Sequence, residues 1–203
     1  MININDVICI EGIGSHSNCF LIGDVLVDTG TGFDSNFLYD VLKECGKTKE
    51  DISMIVNTHC HFDHVGGNYL FPDAKVAIHK NDAPLLKEDY NHNTAADLFN
   101  ARIKRHDVDI ELNENDKIGN FTVIHTPGHS SGGICLWDGE ILISGDTVFA
   151  NGGVGRLEYG GDYNQLKNSL NKLEELDVKY LLPGHGPFVD EGKKHIEFAN
   201  SRF

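Results

Sequence analysis

What this sequence lacks narrows it first. Its longest apolar runs, such as Ile141-Leu142-Ile143, fall far short of the roughly 20 residues a helix needs to cross a bilayer, and charges interrupt them all. No membrane span is expected. Cysteine is sparse: Cys9, Cys19, Cys45, Cys60 and Cys135 form an odd, scattered set with no C-x-x-C pair. Such a set supports neither a disulfide framework nor a structural zinc knuckle, and it reads as reduced thiols. Basic residues are also few, 17 Lys and Arg against 31 Asp and Glu, for a formal charge of -14. Phosphate backbones need clustered Lys and Arg, so nucleic acid is not an expected partner. The opening residues, Met1-Ile2-Asn3-Ile4-Asn5-Asp6, hold neither a basic leader nor a small-residue cleavage site, so a cytoplasmic location is expected. No linker or low-complexity stretch interrupts the 203 residues, a length that suits one well-formed core, and a single domain over residues 1–203 is expected.

What is present is a regular interleaving of strand and helix signals. From Cys19 to Gly30 two short β-runs are joined by the turn residues Gly23 and Asp24, a hairpin. The pattern recurs from Ile134 to Asp146 around Asp138-Gly139. Each hairpin ends on an aspartate, Asp28 or Asp146, and the recurrence suggests two related halves that each contribute a sheet. Ser35 to Cys45 carries Phe37, Leu38, Val41 and Leu42 at helical spacing and stops at Gly46. Ile52–Val56 and Ala74–Ile78 read as strands, and Thr94–Arg105 as a helix. Asp162 is placed to cap a helix through Leu176, whose Leu166, Leu170 and Leu173 share one face. The strand Tyr180-Leu181-Leu182 runs into Pro183-Gly184-His185-Gly186, and a short helix around Glu191–Asn200 follows. This order predicts an α/β sandwich with helices covering sheets.

The chemistry concentrates in His59-Cys60-His61-Phe62-Asp63-His64, directly after a strand. Imidazole and carboxylate are the side chains that bind zinc, iron or manganese. In extended chain His59 and His61 point the same way and Cys60 points away, while the turn beyond lets Asp63 and His64 face a second point nearby. A lone H-x-H is a weak signal; H-x-H-x-D-H followed by Gly66-Gly67 is a specific one. Further ligand-type residues stand beside glycine at strand ends: His129 in Thr126-Pro127-Gly128-His129, Asp146 in Ser144-Gly145-Asp146, and His185 in Pro183-Gly184-His185. His16, His79, His92, His106, His125 and His195 lie outside these blocks and read as surface or structural histidines. Asp28 is a candidate to accept the second N–H of a metal-bound imidazole, beside the plain alternative of a turn aspartate.

These blocks, in this order, resemble the metallo-β-lactamase superfamily from about Cys19 to Pro187. The resemblance implies a four-layer αβ/βα sandwich of two mixed β-sheets flanked by helices. It also implies two divalent metal ions, zinc first, with iron and manganese suiting the same donors. By the same resemblance His59, His61 and His129 hold one metal, Asp63, His64 and His185 the other, and Asp146 bridges them. Two such cations about 3.5 to 4 Å apart lower the pKa of a shared water, making hydroxide the nucleophile; Asp63 and Asp146 are then the catalytic carboxylates.

Enzymes of this superfamily that hydrolyse β-lactams usually carry cysteine or serine at the position of Asp146, which disfavours antibiotic hydrolysis. The stretch Ser144-Gly145-Asp146-Thr147-Val148-Phe149, with Gly152-Gly153-Val154-Gly155-Arg156, Gly160-Gly161-Asp162 and Ser169-Leu170, resembles glyoxalase II and its shorter relatives. That implies a small-molecule thioester substrate such as an S-2-hydroxyacylglutathione, with Arg156 against a substrate carboxylate or in a structural ion pair. Glyoxalase II also has a helical C-terminal domain with basic glutathione-binding residues; this chain stops soon after His185, which points to another thiol carrier or a smaller acyl thioester. Lactone hydrolysis is a close alternative within the same fold, although quorum-quenching lactonases place a tyrosine three residues after the bridging aspartate, where this chain has Phe149. Persulfide dioxygenases are a second alternative, with one iron that would fall to His59, His129 and Asp146. Nuclease members need a basic surface that this composition does not supply.

Overall fold

The computed structural model describes residues 1–88, 92–104 and 107–203. The chain divides into two compact units, residues 1–78 with 83–111 and residues 79–82 with 112–203.

The first sheet has seven strands in sequence order: β1 (Ile2–Ile4), β2 (Val7–Ile10), β3 (Cys19–Ile22), β4 (Val25–Val27), β5 (Met54–Val56), β6 (Lys75–His79) and β7 (Ile110–Leu112). β1 to β4 form an antiparallel meander, after which β4, β5 and β6 run parallel. Parallel neighbours need crossovers, and the chain supplies them with α1 (Ser35–Glu44) between β4 and β5 and α2 (Phe62–Val65) between β5 and β6; α3 (Ala83–Leu86) follows β6. Asp34 Oδ1 accepts from Phe37 N at the start of α1, and Gly46 at φ +70° ends it. Leu38 and Leu42 of α1 bury against a cluster that includes Leu21, Leu26 and Ile55, each such side chain contributing about 1.5–3 kcal/mol.

The second sheet has six strands in the order β13-β12-β11-β10-β9-β8: β8 (Lys117–Ile118), β9 (Phe121–His125), β10 (Ile134–Trp137), β11 (Ile141–Gly145), β12 (Tyr180–Pro183) and β13 (Val189–Asp190). Its one parallel pair, β11 with β12, is bridged by α4 (Tyr163–Glu174). Asp162 Oδ1 accepts from Gln165 N at 2.8 Å, capping α4 as its sequence predicts. Leu166, Leu170 and Leu173 are fully buried, and Ile196 and Ala199 of α5 (Gly192–Asn200) join the same cluster. Both predicted hairpins form, one in each sheet, and two mixed sheets flanked by helices are what the sequence led us to expect. Among the described residues no helix is long and apolar enough to cross a membrane.

The helix expected over Thr94–Arg105 does not form. The chain makes two short 3-10 turns, His92–Thr94 and Ala96–Phe99, broken by left-handed Ala95 (φ +54°) and Asn100 (φ +49°). A left-handed residue cannot continue a right-handed helix, and asparagine tolerates that conformation better than most. Thr94, Ala95 and Ala96 are buried in succession at this break, and Ile103 is buried farther on. Arg105, the end of that expected helix, and His106 lie outside the described residues.

His79 makes a testable contribution to stability. It is buried and stacks on His125 with ring centroids 3.9 Å apart and planes 12° apart. Burial, reinforced by the neighbouring His125, pushes its pKa down to about 4. The unfolded chain protonates this imidazole near its ordinary value while the folded chain does not until about pH 4. Stability should therefore fall on acidification across that window. Urea unfolding midpoints at pH 7 and pH 4.5 should differ more for the native protein than for His79→Phe; equal differences would remove His79 as a cause.

Candidate metal centre

In the first unit the parallel register of β4 and β5, with Val27 opposite Val56, brings two strand ends side by side. Asp28 N donates to Val56 O at 3.0 Å, which sets Asp28 next to Thr58. Asp28 is fully buried with φ +57°, a conformation that costs a non-glycine residue about 1 kcal/mol or more. Its carboxylate offsets that cost: Oδ1 accepts from Thr58 N at 2.8 Å, and Oδ2 accepts from Thr58 Oγ1 at 2.7 Å and from His64 Nδ1 at 2.8 Å. His59 and His61 have ring centroids 4.7 Å apart, and His59 and His64 4.1 Å apart. His61 is extended (φ -68°, ψ 145°) and the chain then closes the single turn of α2, placing Asp63 Oδ2 3.9 Å from His64 Nε2. A Cβ at Gly66 would collide with the carbonyl of Thr31, so only glycine lets this turn pack against the loop after Asp28. Buried Cys60 directs its Sγ to Asn93 O at 3.8 Å.

The second unit gathers His129, Asp146 and His185 by the same device. Gly145 of β11 pairs with Pro183 of β12, and Gly184 N donates to Gly145 O at 2.7 Å, setting Asp146 beside His185. Thr126 N donates to Gly133 O at 2.8 Å, and the buried hydroxyls of Thr126 and Thr147 are 2.9 Å apart, which ties the approach to His129 to the residue after Asp146. His129 Nε2 lies 3.4 Å and His185 Nε2 3.6 Å from Asp146 Oδ2. His129 Nδ1 donates to Arg156 O at 2.6 Å, and a Cβ at Gly155 would strike the His129 ring. The guanidinium-bearing Arg156 itself is exposed.

These hydrogen bonds decide which imidazole nitrogen carries the proton. With Nδ1–H of His64 given to Asp28 and Nδ1–H of His129 given to Arg156 O, Nε2 is the nitrogen of each ring left to meet a metal, and it lies beside a carboxylate oxygen, of Asp63 and of Asp146. Nitrogen with carboxylate oxygen is a donor set for zinc, iron or manganese.

Outside this set, His16 Nδ1 accepts from Thr31 N at 3.2 Å, and burial holds its pKa below the ordinary value. His92 pairs with Asp97 at the surface, and His195 Nδ1 accepts from Asn151 N. The sequence reading missed Asp82. Fully buried, it accepts from Ser130 Oγ, Ser131 Oγ and Gly132 N at 2.8, 3.1 and 2.6 Å, fixing the loop that follows His129. No local motif marks Asp82. Thr58 escaped notice for the same reason, as its partner is 30 residues away.

Comparison with known proteins adds the following. A family model described as metallo-beta-lactamase superfamily matches residues 12–185. A probable metallo-hydrolase of Methanocaldococcus jannaschii is 36% identical over 198 residues, covering 91% of this chain and 94% of that protein. The acyl-coenzyme A thioesterase MBLAC2 of Homo sapiens is 32% identical over 207 residues, covering 85% of this chain and 74% of its own length. A crystal structure of TTHA1623 in a di-iron-bound form matches with a TM-score of 0.77 at 29% identity, over 92% of this chain and 96% of that one.

Removing the Asp28 carboxylate leaves Thr58 N and His64 Nδ1 buried without that acceptor. Asp28→Ala should therefore cost about 3 kcal/mol of stability, read from urea unfolding. A midpoint at the native value would show that Asp28 does not hold this segment.

Proposed function

Because this chain belongs to the metallo-β-lactamase superfamily, we propose that it is a binuclear metal-dependent hydrolase of thioesters whose two units work as one domain over residues 1–203. The observation that carries the reading is the orientation of His64 and His129, each held by a hydrogen bond at Nδ1 so that Nε2 is the nitrogen left beside a carboxylate. In this reading His59, His61 and His129 would hold one metal, Asp63, His64 and His185 the second, and Asp146 would serve both. A relative known in a di-iron-bound form supports two ions, and a relative named as an acyl-coenzyme A thioesterase supports the thioester. Zinc is the first expectation, since its usual ligands are these nitrogens and oxygens.

When bound, two divalent cations make hydroxide available at neutral pH and polarise the substrate carbonyl. The protein's own groups do the rest. Asp63 would orient the attacking oxygen by accepting a hydrogen bond from it. Asp28 and the carbonyl of Arg156 keep His64 and His129 in the tautomer that leaves Nε2 as donor to a metal. In this reading the Arg156 guanidinium, exposed to solvent, would hold a substrate carboxylate. A thiolate leaving group, with a parent pKa of about 8.5, departs without a dedicated general acid.

Asp146→Ala should abolish thioester turnover and lower metal content at both positions, whereas His185→Ala should empty the second position and spare the first. Native turnover in Asp146→Ala would sink the assignment, and equal loss of both metals in His185→Ala would refute separate sites. The primary measurement is elemental analysis of protein purified without added metal, paired with thioester hydrolysis and with oxygen uptake on glutathione persulfide. About two metals per chain with thioester turnover supports the hydrolase. A single iron with persulfide-dependent oxygen uptake would replace it with a dioxygenase.

A further inference from the structure

The first unit holds a pocket of about 360 Å³ that none of the steps above uses. Its aromatic lining is Phe33, Phe62 and Tyr69, and its charged lining is Arg102 and Lys104, with no acidic residue among the lining side chains. In a chain with 31 acids and 17 bases, two cations in a lining that holds no acid among the described residues form a local exception. The arrangement follows from the backbone. Ile103 is buried at 7% exposure in the first unit's core, while Arg102 and Lys104 on either side of it are exposed. Both cations line the pocket on the solvent side of buried Ile103.

The aromatic lining is held in place. Tyr69 donates its hydroxyl to Gly32 O at 2.9 Å, and Lys104 Nζ stands 3.4 Å from the centre of its ring. Phe33 is 64% exposed, yet its ring packs 5.4 Å from that of Phe62, which in turn packs 5.3 Å from Phe99. A large aromatic left open to water but fixed at its edge offers a face for a flat ring. Phe62 also stands between His61 and Asp63, so the ligand segment itself forms one wall of the pocket.

We propose that this pocket binds the phosphorylated nucleotide end of a coenzyme A-type thiol, anchoring the carrier whose thioester the metal centre cleaves. This inference rests on the thioesterase reading and adds the carrier to it. Guanidinium and ammonium match phosphate, the guanidinium in two-point fashion, and the aromatic wall matches adenine. Glutathione offers carboxylates but no ring to stack. The overall charge of -14 repels a polyanion elsewhere on the surface, so a patch of this kind also selects where such a molecule lands.

The probe is adenosine 3′,5′-bisphosphate, titrated calorimetrically into the metal-loaded protein. It should bind the native chain, more weakly as salt rises, and at least about tenfold more weakly in Arg102→Glu/Lys104→Glu. Arg102→Gln/Lys104→Gln, which removes charge without reversing it, should show the same direction. In turnover, the double variants should raise KM for an acyl-coenzyme A about tenfold with kcat unchanged. The same acyl group on pantetheine, which lacks the nucleotide, should be processed at native rates. Absence of nucleotide binding, binding of glutathione in its place, or equal losses on both substrates would overturn the proposal. The two readings fail separately. Nucleotide binding through Arg102 and Lys104 in a protein that cleaves no thioester would leave the pocket and remove the hydrolase. Equal turnover of both substrates without nucleotide binding would do the reverse.

Discussion

The first unit's cluster of histidines depends on one buried carboxylate. Asp28 sits fully buried in a left-handed conformation, and it is stable there because its two oxygens accept three hydrogen bonds from Thr58 and His64. Through Thr58 it fixes the residue before His59, and through His64 it fixes the far end of the same segment. A buried ionised group without such partners would cost far more than the fold can bear. The residues around it are cross-tied as well: Thr29 donates its backbone N–H and hydroxyl to His64 O, and the amides of Asn57 and Asn68 bond each other. The imidazoles are thereby held by hydrogen bonds of defined direction as well as by packing.

The second unit reaches the same end with main chain where the first uses a carboxylate. A backbone carbonyl, that of Arg156, sets the tautomer of His129, and the glycine at 155 permits the close approach. Asp82 then clamps the following loop through three hydrogen bonds. In both units the ligand-type residues stand just past the ends of paired strands, where side chains leave the sheet and backbone groups are free to turn.

Strong negative charge and thiol chemistry take their places around this arrangement. A centre built from imidazole and carboxylate adds anionic charge that divalent cations would neutralise. The five cysteines are free, and burial pushes the thiols of Cys9 to about 12 and Cys135 to about 11, which keeps them protonated and poorly reactive at neutral pH.

By itself the sequence determined the local things: the two hairpins, the capped helices α1 and α4, and the identity of the ligand-type residues beside glycines at strand ends. Those features follow from periodicity, turn chemistry and caps, all of which act within a few residues. Tertiary structure decided the rest. Asp28 meets His64 across 36 residues and Asp82 meets Ser130 across 48, pairings set by strand register that no local pattern encodes. The same holds for Thr94–Arg105, where helical spacing lost to left-handed turns at Ala95 and Asn100 that bury Thr94, Ala95 and Ala96 together and Ile103 farther on. Arg102 and Lys104 owe their place over an aromatic pocket to that outcome, because helix would have rotated them apart. Residue type is written in the chain, but which nitrogen of a histidine faces outward depends on partners that only folding brings within hydrogen-bond reach.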